Sequence, residues 1–302
     1  MRIHKKDFLE KLLTGCSHLK ISLWPPLLAY KPRGHMLKAI HLRDIMKKVQ
    51  PGDILVRTFN NYVDGFFIPG TFTHVGFYMG PVTENHLKQV AKVDNPSQFH
   101  TGEQMVIHTL GDKILLDHLI DFCHCDGLAI MRFPRQLKSI EKRAIPERLM
   151  AYFKDPSKPP VVVQEEEEEE EGKKAKKAKK PKKEEPIKEP VQLDEMTKTL
   201  VKHEYTIAQT IAQGKPVEFE KIFKVLYQIA LREFTSPYHY DFEIDNFSGT
   251  ASTEWVYFIT KSIIWNYGVT PDSKKVFFKS RRIILPDDFV NGDLEEIWKE
   301  VY

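Results

Sequence analysis

Two short stretches carry most of the chemistry this chain could do. His74 heads the run Phe72-Thr-His-Val-Gly-Phe-Tyr-Met-Gly80, which alternates apolar and polar residues and is rich in β-branched and aromatic types. That is the pattern of a half-buried strand. A histidine at the head of such a strand is held rigidly and still reaches a cleft, where its imidazole can act as a general base. The same position also suits a structural histidine. Far downstream, Ala251-Ser-Thr-Glu-Trp-Val-Tyr257 opens a helical pattern, so Ser252 stands at a helix start. A serine there is either an N-cap or a hydroxyl nucleophile awaiting a base. A third group, His118, Cys123, His124 and Cys125, has metal-ligand residue types. It lacks a Cys-x2-Cys pair, and on a strand its neighbours would point to opposite faces. Buried small thiols are the simpler reading.

The elements that must position these residues read as follows. Residues 5–13 form an amphipathic opening helix, residues 37–49 have helical spacing, and Gln50-Pro-Gly-Asp-Ile-Leu-Val56 is a turn opening a strand. A loop with Gly65, Pro69 and Gly70 delivers the chain into the His74 strand. Residues 81–103 read as a polar surface excursion. Residues 104–109 form another strand, with residues 114–116 as its hairpin partner across a Gly111-Asp112 turn. A further strand covers residues 127–133, and residues 137–153 have helical spacing despite Pro146. Helices are expected over residues 196–212, 218–234 and 252–264, a last strand over 276–285, and a closing acidic helix after Pro286-Asp-Asp288.

Residues 155–195 differ in kind. Seven consecutive glutamates, Glu165 to Glu171, precede a lysine-dominated stretch from Lys173 to Lys183. Such a segment has too little apolar surface to offset its ordering entropy. It reads as a solvated insertion whose opposite charges neutralise each other. The organisation expected is an N-terminal helical extension (1–48), the first half of a domain (49–154), the insertion (155–195), and the second half of the same domain (196–302).

With 302 residues the chain holds one large domain or two modest ones, and 41% hydrophobic content suffices for a core. A net charge of +3 makes no case for nucleic-acid binding. Three cysteines, two of them one residue apart, are no disulfide framework and point to a reducing compartment. Leu13-Thr-Gly-Cys16 has the form of a lipid-attachment box, but Asp7, Glu10 and Lys11 break the apolar region it needs. A cytoplasmic location is therefore expected over a lipid anchor. No stretch reaches the roughly 20 apolar residues of a membrane span.

The motif order carries a resemblance. Pro51-Gly-Asp-Ile-Leu55, the run from Ile68 through His74 to Gly80, Met105-Val-Ile-His108, Tyr240-Asp-Phe-Glu-Ile-Asp245, Ser252-Thr-Glu-Trp-Val-Tyr257 and Ile284-Leu-Pro-Asp-Asp288 follow one another. This order resembles the YiiX/YebB group of NlpC-type enzymes, which are circularly permuted papain-like amidases and cysteine hydrolases. The resemblance covers Pro51 to Asp288 without the charged insertion. It implies an α+β papain-like domain, a central antiparallel sheet packed with helices. It further implies that His74 is the catalytic histidine, that His108 takes the place of the orienting polar residue, and that Ser252 takes the place of the nucleophilic cysteine.

That last exchange matters. A thiol at a helix N-terminus beside a histidine is stabilised as thiolate, whereas a serine needs its proton removed at the moment of attack. Three readings of Ser252 stand: a natural substitution that keeps the cleft for binding, a Cys→Ser exchange that traps a complex, and a working nucleophile. Glu254 matches the family glutamate as an acceptor beside the site, Asp53 holds the Pro-Gly-Asp turn, and Tyr240 lines the cleft or is an ordinary surface aromatic. The implied substrate is a peptide-, cell-wall- or lipid-linked amide or acyl bond. No cofactor and no metal is implied.

Overall fold

The structure is a computed structural model that describes residues 19–23, 26–30, 35–61, 68–110, 113–140, 143–154, 194–235, 251–276 and 279–302. Its strands are, in chain order, β1 (Leu19–Leu23), β2 (Pro26–Tyr30), β3 (Ile54–Thr58), β4 (His74–Val82), β5 (Gly102–Leu110), β6 (Lys113–His118), β7 (Gly127–Arg132), β8 (Gln136–Leu137), β9 (Val217–Glu218), β10 (Asp272–Val276), β11 (Lys279–Ile283) and β12 (Glu295–Val301). Six of them form a central antiparallel sheet in the order β12-β7-β3-β4-β5-β6. The remaining strands pair off as separate ribbons, β1 with β2, β8 with β9, and β10 with β11. The chain is thus α+β with a central antiparallel sheet packed with helices. No helix among the described residues is long and apolar enough to cross a membrane.

The sheet is covered on both faces. Strand β3 is accordingly buried at all five positions, and β4 is more fully buried than a half-exposed strand would be. One face, with Ile54, Val56, Val75, Phe77 and Ile107, packs under the helices Glu195–Ala212, Phe219–Thr235 and Ala251–Thr260. Trp255 and Val256 of the last helix lie in that layer. The other face, with Leu55, Tyr78, Val106, Leu128 and Ile130, is closed by Ile45 of helix Ala39–Lys48 and by Leu119 and Phe122 of the short helix Leu119–Phe122. Each large apolar side chain taken out of water contributes about 1.5–3 kcal/mol. Side-chain alternation decides which face each strand residue meets. Val75 and Phe77 point to the layer of long helices, while His74, Gly76 and Tyr78 point to the Phe122 side.

Two acidic residues fix how the chain enters the sheet. Asp53 accepts from the Gln50 N–H at 2.7 Å and receives the Arg132 guanidinium at 2.7 and 2.8 Å, so it closes the turn before β3. Asp287 accepts from the Thr71 and Phe72 N–H groups at 2.9 and 2.8 Å, pinning the loop that leads into β4. Gly70 makes that contact feasible: its φ is +116°, and a Cβ there would lie 2.7 Å from the Asp287 carboxyl.

Several sequence expectations change. The closing acidic helix is only Pro286–Asn291, and the chain ends in β12, an edge strand of the central sheet. Its glutamates and lysine suit an edge, where charge discourages further pairing. Residues 81–103 are more than a surface excursion, because helix Glu84–Gln89 buries Leu87, with Ala91 and Val93 following it into the core. The expected helix over 137–153 shrinks to Glu147–Lys154, since Pro146 lacks an N–H and is tolerated only at a helix start. The expected single strand over 276–285 is the hairpin of β10 and β11. The N-terminal extension contains the β1–β2 hairpin, and Leu37 and Ile45 pack into the smaller core. The opening helix, the lipid-attachment box, most of the charged insertion and the Tyr240 segment lie outside the described residues.

Candidate active site

Strands β4, β5 and β6 carry a line of titratable side chains on the Phe122 face. The β4–β5 register sets Gly76 opposite His108, and the β5–β6 register sets His108 opposite Leu115 and Val106 opposite Asp117. His74, His108 and Asp117 are therefore diagonal neighbours on one face, the spacing at which long side chains meet across strands. His74 Nε2 lies 3.0 Å from His108 Nδ1, and His108 Nε2 lies 2.9 Å from Asp117 Oδ2. The two imidazoles meet edge to face, with centroids 5.0 Å apart and planes at 83°. Both rings rest near Phe122, at 6.0 Å from His74 and 5.2 Å from His108. A Cβ on Gly76 would come within 2.7 Å of the Phe122 ring, so glycine leaves room for that ring between the two histidines.

Ser252 approaches strand β4 from the opposite face. It is the second residue of helix Ala251–Thr260 and buried. Its Oγ accepts the backbone N–H of Val75 at 3.2 Å. The paired region of β4 and β5 begins at Gly76↔His108, so this N–H lies one residue beyond the ladder. The hydroxyl therefore stands where the two strands part, at the level of the sheet itself. Covalent geometry then holds Ser252 Oγ within about 6 Å of the His74 Cα. Among the described residues Ser252 Oγ takes its hydrogen bond from Val75 and not from a ring nitrogen of His74. Sequence positions 75 and 252 are 177 apart, yet one hydrogen bond joins them.

Electrostatics keep the imidazoles uncharged. Burial, reinforced by the nearby Arg57 and His108, holds His74 well below the ordinary histidine value. Burial also lowers His108, against the opposing pull of Asp117. The hydrogen bond from His108 holds Asp117 below the usual carboxylate range, so this group is ionised. Arg57, on β3 directly across from His74, is the cation of the site. Its guanidinium donates to the Phe122 carbonyl at 2.9 Å and lies over the Phe122 ring at 4.1 Å.

Of the residues expected from sequence, His74 and His108 are in side-chain contact, and Ser252 bonds the backbone N–H of the residue after His74. Glu254 is buried in the first turn of the same helix. Asp53 sits at the far end of β3 from Arg57 and His74, so it supports the fold and does not line the cleft. Tyr240 lies outside the described residues. The site residues missed are Asp117 and Arg57; Asp287, part of the Ile284–Asp288 motif, had no role assigned from the sequence and pins the loop into β4. Cys123 and Cys125 lie in the turn before β7, not on a strand, and are buried. Burial raises the Cys123 thiol far above its ordinary value and pushes that of Cys125 up to about 12, so neither is a resting thiolate. Among the described residues no cluster of histidine, cysteine and acidic side chains is arranged to hold a metal ion. Comparison with known proteins gives no match to a family model, a curated protein or a solved structure.

Proposed function

We propose that this chain is a hydrolase-type protein acting at an amide or other acyl bond, with Ser252 as nucleophile and His74 as general base. The observation that carries this reading is the hydrogen bond from Val75 to Ser252 Oγ, which brings a hydroxyl at a helix N-terminus beside the strand residue that bears the histidine. The papain-like resemblance in motif order supports it independently, because it implies the same two residues in these roles, with His108 as the orienting group. In the reaction, Ser252 Oγ attacks the acyl carbon while its proton passes to His74. That proton leaves with the departing amine or alcohol, and water then releases the acyl group with the same base. The helix N-terminus favours the negative charge that develops during attack. General-base assistance of this kind is worth about 10²–10⁴-fold in rate.

A second reading is a binding protein that uses the same cleft without turnover. It is favoured by the hydrogen bond of Ser252 to the backbone rather than to an imidazole nitrogen. A serine-directed fluorophosphonate separates the two. The enzyme reading expects labelling of the wild-type chain at Ser252, abolished in S252A and strongly slowed in H74Q. It also expects a thiol-directed acyl probe to label S252C. Folded wild-type and S252C proteins that both stay unlabelled would leave the binding reading standing.

A further inference from the structure

We infer that Asp117, acting through His108, determines which ring nitrogen of His74 is left as the base. The catalytic consequence rests on the function proposed above, but the proton arrangement itself does not. An ionised carboxylate only accepts hydrogen bonds. The 2.9 Å contact between Asp117 Oδ2 and His108 Nε2 therefore requires the proton of His108 to sit on Nε2. His108 Nδ1 then carries a lone pair, and the 3.0 Å contact with His74 Nε2 requires a proton on that nitrogen. By elimination, His74 Nδ1 is bare. The one nitrogen not engaged in the line is thus the one available to take a proton from a nucleophile.

The same line run in reverse would disable the site. With a donor in place of Asp117, His108 would carry its proton on Nδ1, and His74 would carry its own on Nδ1 as well. In that form the His74 lone pair sits on Nε2, where His108 Nδ1–H already donates to it, and Nδ1 has none to offer a hydroxyl. Asp117 is therefore a positioning residue at second remove, and His108 is the coupler that makes its state felt at His74. The charged groups around the line are consistent with this order. Arg57 faces both imidazoles from β3 and opposes a further proton on either, while His100 lies beside Asp117 and favours its ionised form. Cys123 and Cys125, which also lie near Arg57, stay protonated. Phe122 brings no titratable group: its ring lies beside both imidazoles and its carbonyl accepts from Arg57. Because the Asp117 side chain is 32% exposed, changing it does not open a core cavity.

The test is long-range nitrogen–proton NMR on protein carrying ¹⁵N-labelled histidine, near neutral pH. In the wild-type chain, His74 and His108 are both expected as the Nε2–H tautomer, with unprotonated Nδ1. In D117L the carboxylate acceptor is gone, and both rings should shift toward a mixture of tautomers. In an H108F background the coupler is missing, so adding D117L should leave the nitrogen shifts of His74 unchanged. A D117L protein that keeps the wild-type His74 tautomer would overturn the inference, as would an equal response of His74 in the H108F background. Where turnover exists, D117L should lower kcat by about 100-fold or more. An intact tautomer pattern without any turnover would sink the proposed hydrolase function and leave the role of Asp117 in place.

Discussion

At the scale of single residues, the site is an uncharged pair of imidazoles between an ionised carboxylate and a cation. Arg57 faces His74 across the β3–β4 ladder, and its guanidinium is fixed by the Phe122 carbonyl and ring. A base whose pKa is held down stays unprotonated at lower pH. The acid limb of kcat/KM is therefore expected below pH 6.5, the ordinary histidine value from which His74 is lowered. R57Q should move that limb upward, because burial would remain while the repelling charge is gone. A limb that stays put in R57Q would show that the guanidinium does not act on His74. Part of this site was legible in the sequence. The strand around His74 and the helix start at Ser252 carry strong local patterns. Asp117 was legible too, and was missed. A Gly111-Asp112 turn, taken as a two-residue hairpin, pairs His108 with Leu115 and sets Asp117 on the same face, as the register has it. Arg57 gives no such signal, because a lone arginine in an apolar strand does not announce which strand it will face.

At the scale of elements, the helix Ala251–Thr260 has to be held so that its first turn meets the fork between β4 and β5. Its far end is tied by a buried ion pair. Lys261 Nζ lies 2.7 Å from Glu204 Oε1 on helix Glu195–Ala212, donates to the Phe258 carbonyl at 3.1 Å, and sits 3.8 Å above the Phe258 ring. Both side chains are essentially out of solvent. Removing one partner strands the other charge, so K261M is expected to lower the unfolding free energy by about 3–5 kcal/mol. The double variant K261M/E204L should recover most of that loss, since an apolar pair of similar volume replaces the ions. Urea denaturation reads both values, and a K261M protein as stable as wild type would mean the pair contributes nothing to anchoring this helix. Lys261 and Glu204 were not visible in advance, because a lysine after a helix and a glutamate within one are ordinarily solvated. The helices and strands themselves were mostly legible from periodicity. The exceptions were decided by tertiary contacts: Glu295–Val301 is rich in charge yet finds an edge to pair with, and the run after Gly80 turns helical over a buried Leu87.

At the scale of the whole molecule, the two site histidines link stability to pH. His74 and His108 have folded pKa values below their reference of 6.5, so the unfolded chain protonates first as pH falls. In that window the unfolded state binds more protons, and stability rises with pH and is lost as pH drops below about 6.5. Asp117, lowered below 3.8, adds a further loss only at more acidic values. Thermal melts between pH 7 and 5 should show a falling Tm, with a shallower slope in H74F/H108F. A flat profile would mean that the histidines charge without leaving their sites. The chain order of the site has a consequence of another kind. The histidine strand and the hydroxyl that meets it stand 177 positions apart, and the Glu/Lys stretch runs between them. Strands β3 to β7 come from one side of that stretch, and the three long helices and β12 come from the other. A cut within it gives two pieces, each holding one reacting partner and half of a shared core. The site is therefore a product of association: a cleaved chain would regain it only where the two pieces pair, and mixing purified fragments is the direct way to see it form.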